Sequence, residues 1–170
     1  MHQHQLQTSK LEFDRVALHA ALKEKLPGYL FWRWAKEELD RRGTDLLALR
    51  AGAPPLHVDL KVRKFDPIGA GRYDDLFIET VSCCESGKPG WAKDPNKTTD
   101  LLVWIYPTGR CVVVSHRGLR HALERYEQAW RKRFPTRVQH TPNPYGGYTS
   151  ECLVVPRRIV ERAAASFSFN

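Results

Sequence analysis

Residues 56–63 read Leu-His-Val-Asp-Leu-Lys-Val-Arg, and in this stretch apolar and polar side chains alternate without a break. Strict alternation is typical of a β-strand with one face in the core, because successive side chains point to opposite sides. A second strand is predicted over 76–83, beyond a loop that contains Pro67, Gly69 and Gly71. The two stretches together predict a β-hairpin at the centre of the fold.

The flanking sequence predicts helices and further strands around this hairpin. The continuous apolar run 101–106 predicts a central strand that is covered on both faces. Short strands are also predicted over 111–114 and 152–155, with a loop over 136–150. Helices are predicted over 11–26, 29–42, 45–50 and 115–134, and a closing helix from Pro156. We therefore expect an α/β (α+β) protein with a mixed sheet of about five strands flanked by helices.

The chain has 170 residues, and we expect one domain over 10–170 after a disordered leader at 1–9. Hydrophobic residues make up 42% and charged residues 27% of the chain, which is a globular composition. The apolar run 101–106 is far shorter than the ~20 residues that span a bilayer, and no secretory signal is visible. We therefore expect a cytoplasmic protein without a membrane partner.

The net charge of +8 is concentrated in the carboxy-terminal third of the chain. Residues 110–162 contain eleven Lys and Arg against four Asp and Glu, which gives +7 of this charge. A localised basic field suits a polyanion, and DNA is the partner that we favour. The alternative is a surface that only keeps the protein soluble, and the sequence leaves a homodimer open.

The predicted helix 115–134 carries most of the candidate nucleic-acid contacts. Guanidinium groups match phosphate oxygens bidentately, and a tryptophan in a Lys-flanked loop can stack on an unpaired base. The candidate contacts are Arg117, Arg120, Arg131, Lys132, Arg133, Arg137 and Trp91.

The predicted hairpin also gathers acidic residues on its polar face. A register centred on the loop glycines places Asp59 opposite Glu79, with Lys61 and Asp75 on the same face. Two carboxylates about 5 Å apart repel each other unless a cation lies between them, and Mg²⁺ or Mn²⁺ would serve. The alternative is a solvated strand face on which the acids pair with Lys61 and Arg63.

Several short runs resemble the core of the PD-(D/E)XK nuclease superfamily, and more narrowly phage and plasmid proteins with that core. The runs are Asp74-Asp-Leu-Phe-Ile-Glu-Thr-Val-Ser82, Gly90-Trp91, Thr99-Asp-Leu-Leu-Val-Trp-Ile105 and Cys152-Leu-Val-Val-Pro156. The resemblance covers roughly residues 55–160. It implies a restriction-endonuclease-like fold and a metal-dependent DNA endonuclease, that is, a nuclease that hydrolyses phosphodiester bonds.

In that superfamily an Asp and a Glu bind the metal, and a Lys two residues after the Glu assists the attacking water. The resemblance implies that Glu79 is the Glu and that either Asp75 or Asp59 is the Asp. Val81 stands where the Lys is usual, and Lys61 is the candidate substitute. Because the usual Lys is missing at Val81, the sequence also favours an alternative. This is a nucleic-acid-binding or inhibitory protein on the same scaffold, without turnover. A protein-interaction module with an incidental basic surface is the third hypothesis.

Overall fold

The structure is a computed structural model that describes residues 13–68, 74–144 and 146–165. The predicted leader at 1–9 lies outside these residues. The described residues form two compact units. The first unit contains 13–68 and 98–114, and the second contains 74–97 and 115–165.

The fold is mixed α/β, as predicted. The helices are α1 (Arg15–Lys25), α2 (Glu37–Arg41), α3 (His116–Arg133) and α4 (Arg157–Ala164). The strands are β1 (Tyr29–Trp34), β2 (Leu46–Arg50), β3 (Ala53–Val62), β4 (Asp75–Cys83), β5 (Lys88–Pro89), β6 (Leu101–Ile105), β7 (Cys111–Ser115), β8 (Thr136–Thr141) and β9 (Tyr148–Pro156). Within the described ranges, every helix is too short or too polar to cross a membrane.

The first unit is built on a five-stranded mixed sheet with the order β1-β2-β3-β6-β7. Strand β2 is antiparallel to β1 and β3, whereas β6 runs parallel to β3. Leu18 and Leu22 of α1 pack against alternate residues of the sheet, among them Val58 and Val103. All five residues of β6 are buried, which confirms the prediction of a central strand.

The second unit is built on a four-stranded sheet with the order β5-β4-β9-β8, in which neighbouring strands are antiparallel. Helix α3 begins after Ser115, whose hydroxyl accepts the N–H of Gly118, as the sequence predicts for an N-cap. Gly118 lies so close to the carbonyl of Ala164 that a Cβ there would stand 2.6 Å from it. This glycine therefore allows α3 and α4 to pack closely.

The predicted hairpin between β3 and β4 is wrong. Strand β3 pairs with β2 and β6, and strand β4 pairs with β5 and β9. The alternation of side chains predicts which residues share a face, but it does not select the neighbouring strand. Strand β3 ends at Val62 and β4 begins at Asp75, so no two-residue turn fixes a register between them.

Three predictions of local structure are also wrong. Residues 29–34 and 46–50 are strands instead of helices, and 136–141 form a strand instead of a loop. Aromatic side chains at 31, 32 and 34 suit a pleated surface as well as a helix, so the local pattern does not decide between them. Pairing with β2 decides in favour of a strand.

Candidate active site on strand β3

Asp59 and Lys61 form a buried ion pair on β3. The Nζ of Lys61 lies 2.8 Å from Oδ1 and 2.9 Å from Oδ2 of Asp59, so both carboxylate oxygens contact the ammonium group. The side chains are 7% and 17% exposed. Residues two apart on a strand share a face, which is why the sequence places this pair together correctly.

Asp45 lies beside Asp59 on the neighbouring segment, directly before β2. Its N–H donates to the carbonyl of Val58 at 2.8 Å, and its Oδ2 accepts the N–H of Leu60 at 2.6 Å. Because Val58 and Leu60 flank Asp59 in β3, the two bonds hold Asp45 at the level of Asp59. The carboxylate of Asp45 and the Asp59–Lys61 ion pair therefore lie at the same level of the sheet.

A third aspartate, Asp100, lies on the other side of β3 at the start of β6. Its Oδ2 accepts the N–H of His57 at 2.8 Å, and its own N–H donates to the carbonyl of His57 at 2.8 Å. The Nδ1 of His57 also lies 3.1 Å from the hydroxyl of the fully buried Thr44. Through His57, these bonds connect β3 to the segment before β2 on one side and to the start of β6 on the other.

The donor set at this point suits a hard divalent cation. Mg²⁺ binds proteins through one or two carboxylates and keeps its other positions for water and substrate phosphate oxygens. Asp45 and Asp59 supply two such carboxylates. Since both oxygens of Asp59 contact Lys61, a cation that binds Asp59 has to displace the ammonium group.

Asp75 and Glu79, the other predicted metal ligands, lie on β4 in the second unit. The register of β4 with β9 is regular from Asp75, opposite Pro156, to Glu79, opposite Cys152. Four residues of regular strand separate their Cα atoms by about 13 Å, which is too far for one ion. Throughout 13–68, 74–144 and 146–165, no three His, Cys, Asp or Glu side chains are grouped so that they could hold a metal.

Asp75 lines a cavity of about 460 Å³ with Asp74, Pro156, Arg157 and Arg158. Burial, and the neighbouring charge of Asp74, raise the pKa of Asp75. The carboxylate of Asp74 accepts the Nε–H of Arg157 at 2.5 Å. This ion pair joins the start of β4 to the start of α4.

Glu79 holds the loop that contains Trp91. Its Oε1 accepts the N–H of Trp91 at 3.3 Å, and its carbonyl accepts the N–H of Ala92 at 3.3 Å. The carbonyl of Trp91 lies 3.1 Å from Nε2 of the buried His116, and this nitrogen must carry a proton because a carbonyl only accepts. Trp91 itself is half-buried, so base stacking by its ring stays a prediction.

Arg131 differs from the other candidate nucleic-acid contacts, because it lies in an internal polar network. Its guanidinium donates to Glu151 at 2.7 Å, to Thr80 at 3.0 Å and to Glu127 at 3.0 Å. Lys93 donates to the second oxygen of Glu127 at 2.8 Å. The network joins α3 to β4 and β9, and Arg131 is therefore a structural cation.

The remaining basic candidates lie closer to solvent. Arg117, Lys132, Arg133 and Arg137 are exposed, whereas Arg120 is half-buried and lines a cavity of about 550 Å³ with Lys93 and Glu127. Arg137 lies on β8, opposite Cys152 of β9. The guanidinium of Arg133 stands 5.6 Å from the ring centroid of Phe134.

Sequence reasoning missed Asp45 as a site residue. The run Asp59-Leu-Lys61 was the available signal for a site on β3, because it has an acid followed two residues later by a Lys. Glu79 is followed two residues later by Val81 instead. The predicted helix over 45–50 concealed the aspartate that lies beside this run. Comparison of the chain with family models, curated proteins and solved structures found no match.

Proposed function

We propose that this protein hydrolyses phosphodiester bonds of DNA with a divalent cation bound by Asp45 and Asp59 and with Lys61 as the contact to the phosphate. The single observation that carries the proposal is the buried ion pair of Asp59 and Lys61 with Asp45 at the same level of the sheet. Together the three residues provide two carboxylates for Mg²⁺ or Mn²⁺ and one ammonium group for a phosphate. The resemblance to the PD-(D/E)XK superfamily supports the same chemistry, and this proposal transfers the acid-x-lysine pattern from Glu79 to Asp59.

Each residue has a definite role in this proposal. Asp59 and Asp45 bind the cation, which supplies Lewis-acid stabilisation of the charge that develops on the phosphate oxygens. Lys61, once separated from Asp59, donates from Nζ to a phosphate oxygen of the substrate. Asp100 and His57 hold the strand in position through their hydrogen bonds.

The test is cleavage of plasmid and single-stranded DNA in Mg²⁺ and in Mn²⁺ by four single variants. Asp59→Asn, Asp45→Asn and Lys61→Met should each lower the rate at least about 100-fold. Glu79→Gln is the matched control, because it removes a carboxylate on β4 and should leave the rate within about twofold. Thermal unfolding of each variant separates loss of chemistry from loss of fold.

The reverse pattern would overturn the assignment of the site. If Glu79→Gln abolishes cleavage and Asp59→Asn does not, the centre lies on β4, at the predicted ligands Asp75 and Glu79. If the wild-type protein binds DNA but does not cleave it in either Mg²⁺ or Mn²⁺, the alternative function without turnover replaces the proposal. The contact of Lys61 with both oxygens of Asp59 favours that alternative, because the lysine then takes the place of the cation.

A further inference from the structure

Helix α3 carries charged residues on more than one side. Arg131 and Glu127, four residues apart, belong to the internal network with Thr80 and Glu151. A different side carries residues at i, i+4, i+8, i+11 and i+15, which share one face at 3.6 residues per turn. This exposed set, here named the α3 stripe, consists of Arg117, His121, Arg125, Gln128 and Lys132.

The α3 stripe runs along nearly the whole helix. Fifteen residues at 1.5 Å each separate Arg117 from Lys132, which gives a length of about 22 Å. One strand of duplex DNA presents a phosphate about every 3.4 Å along the axis, so the stripe spans roughly six phosphates. Three cations spaced over this length, Arg117, Arg125 and Lys132, match a nucleic-acid backbone better than they match a single small anion.

At most positions of this surface, the basic group has no acidic neighbour among the described residues that forms an ion pair with it. Within the part of the chain that the structure describes, no carboxylate forms an ion pair with Arg125, Lys132 or Arg137. Glu124 is the acidic neighbour, and its carboxylate lies 3.7 Å from Nδ1 of His121. Arg137 follows the end of α3 on the exposed edge strand β8 and adds a further cation.

We propose that the α3 stripe, with Arg137, binds the phosphate backbone of DNA. The identity of the polyanion rests on the proposed function, whereas the choice of residues rests on the geometry of α3. Arginine and lysine contacts to phosphates position a duplex without reading its sequence, so the surface should bind DNA of any sequence. Arg131 takes no part, because its guanidinium already binds two carboxylates.

The experiment measures binding of a short fluorescent duplex by anisotropy, in EDTA so that nothing is cleaved, between about 50 and 200 mM salt. Arg125→Ala/Lys132→Ala/Arg137→Ala should weaken binding and flatten the log–log salt dependence by up to about 2.7, since each phosphate contact contributes about 0.9. The matched control is Arg15→Ala/Lys23→Ala/Lys64→Ala. It removes the same charge from exposed positions of the first unit and should leave the slope nearly unchanged.

Two further variants make the outcomes distinct. The charge-conserving Arg125→Lys/Arg137→Lys should keep the wild-type slope, and Asp59→Asn should bind with the wild-type slope while it fails to cleave. An equal flattening in both triple variants overturns the inference, because net charge alone then explains binding. An unchanged slope in the stripe variant also overturns it. If the wild type cleaves nothing but the stripe variant still flattens the slope, the proposed function fails and the inference stands.

Discussion

Lys61 and Asp59 form a buried ion pair in which each charge offsets the cost of burying the other. Burial of one charge without its partner is costly, whereas two neutral side chains of similar shape can replace the pair at little cost. Lys61 is 17% exposed and Asp59 is 7% exposed, so neither charge is well solvated if its partner is removed. The stability of the first unit therefore depends on both partners of this pair together.

We expect Lys61→Met to lower the free energy of unfolding by about 3 kcal/mol. Asp59→Asn/Lys61→Met should lose clearly less than the sum of the two single variants, because no unpaired charge stays buried. Urea unfolding of the two single variants and the double variant measures this coupling. Strict additivity of the three losses would contradict the ion-pair argument.

Arg131 is the second residue for which geometry sets a definite expectation. Arg131→Ala removes the guanidinium that donates to Glu151 and to Thr80, and we expect a loss of about 1–3 kcal/mol in stability. Arg131→Lys should recover only part of it, since a lysine cannot reproduce the forked contacts. Lys132→Ala, the exposed neighbour, is the control and should change stability by less than about 0.5 kcal/mol. Similar losses in both alanine variants would show that Arg131 is not a structural cation.

At the scale of elements, the loop after β5 is attached to β4 through a contact that only glycine permits. A Cβ on Gly90 would lie 2.2 Å from the carbonyl oxygen of Glu79 and 2.8 Å from the carbonyl carbon of Thr80. Both are backbone atoms of β4 and cannot rotate away. The N–H of Gly90 also donates to the carbonyl of Thr80 at 3.0 Å, so the close approach is part of the strand contact.

Gly90→Ala should therefore destabilise the second unit by about 3 kcal/mol, because the loop has to move away from β4. Gly87→Ala, in the turn directly before β5, is the matched control. Gly87 has φ of +67° but nothing within 4 Å of a Cβ, so only the backbone strain of about 1 kcal/mol applies. Thermal unfolding of the two variants compares them directly. Equal losses of stability in the two variants would mean that a Cβ at Gly90 does not clash with Glu79.

Elements with a local signal could be predicted from the sequence, and elements that depend on distant partners could not. Helix α3 has an N-cap and a periodic apolar face, both local, and it was predicted over 115–134 and found over His116–Arg133. Strand β1 has no such decisive pattern, and its pairing with β2 determines its structure.

The same distinction explains the candidate site. Alternation along one strand sufficed to place Lys61 with Asp59, because both lie on β3. The partner of β3 could not be predicted, since pairing with β6 joins residues more than 40 positions apart, Asp59 with Leu102 among them. Glu79 was placed opposite Asp59 for this reason, whereas Asp45 was missed because residues 45–50 were predicted to be a helix.

At the scale of the whole molecule, the carboxylates with shifted pKa values determine how stability depends on pH. Hydrogen bonds from Arg110 lower the pKa of Asp66 in the first unit, and those from Arg131 lower the pKa of Glu151 in the second. Burial raises the pKa of Glu127, but Lys93 and Arg131 outweigh this effect, so that it too is lowered.

A carboxyl whose pKa is lower in the folded than in the unfolded chain stabilises the fold above its unfolded pKa of about 4. That contribution is lost as the pH falls through the folded pKa. Asp75 acts in the opposite direction, because its raised pKa stabilises the fold only at low pH. Since several carboxyls have lowered pKa values, we expect the free energy of unfolding to be steady between about pH 5 and 7 and to fall below about pH 4.

Asp66→Asn tests the origin of this pH dependence. Asp66 binds Arg110 through both carboxylate oxygens, at 3.0 and 2.8 Å, and its side chain is 5% exposed. The variant should be less stable than wild type at pH 7, and the difference should shrink as the pH falls towards 2, because protonation removes the same charge from the wild type. Glu38→Gln, at an exposed position, should follow the wild-type curve at every pH. Urea unfolding at several pH values gives both curves, and a difference for Asp66→Asn that stays constant with pH would exclude the ionised carboxylate as its cause.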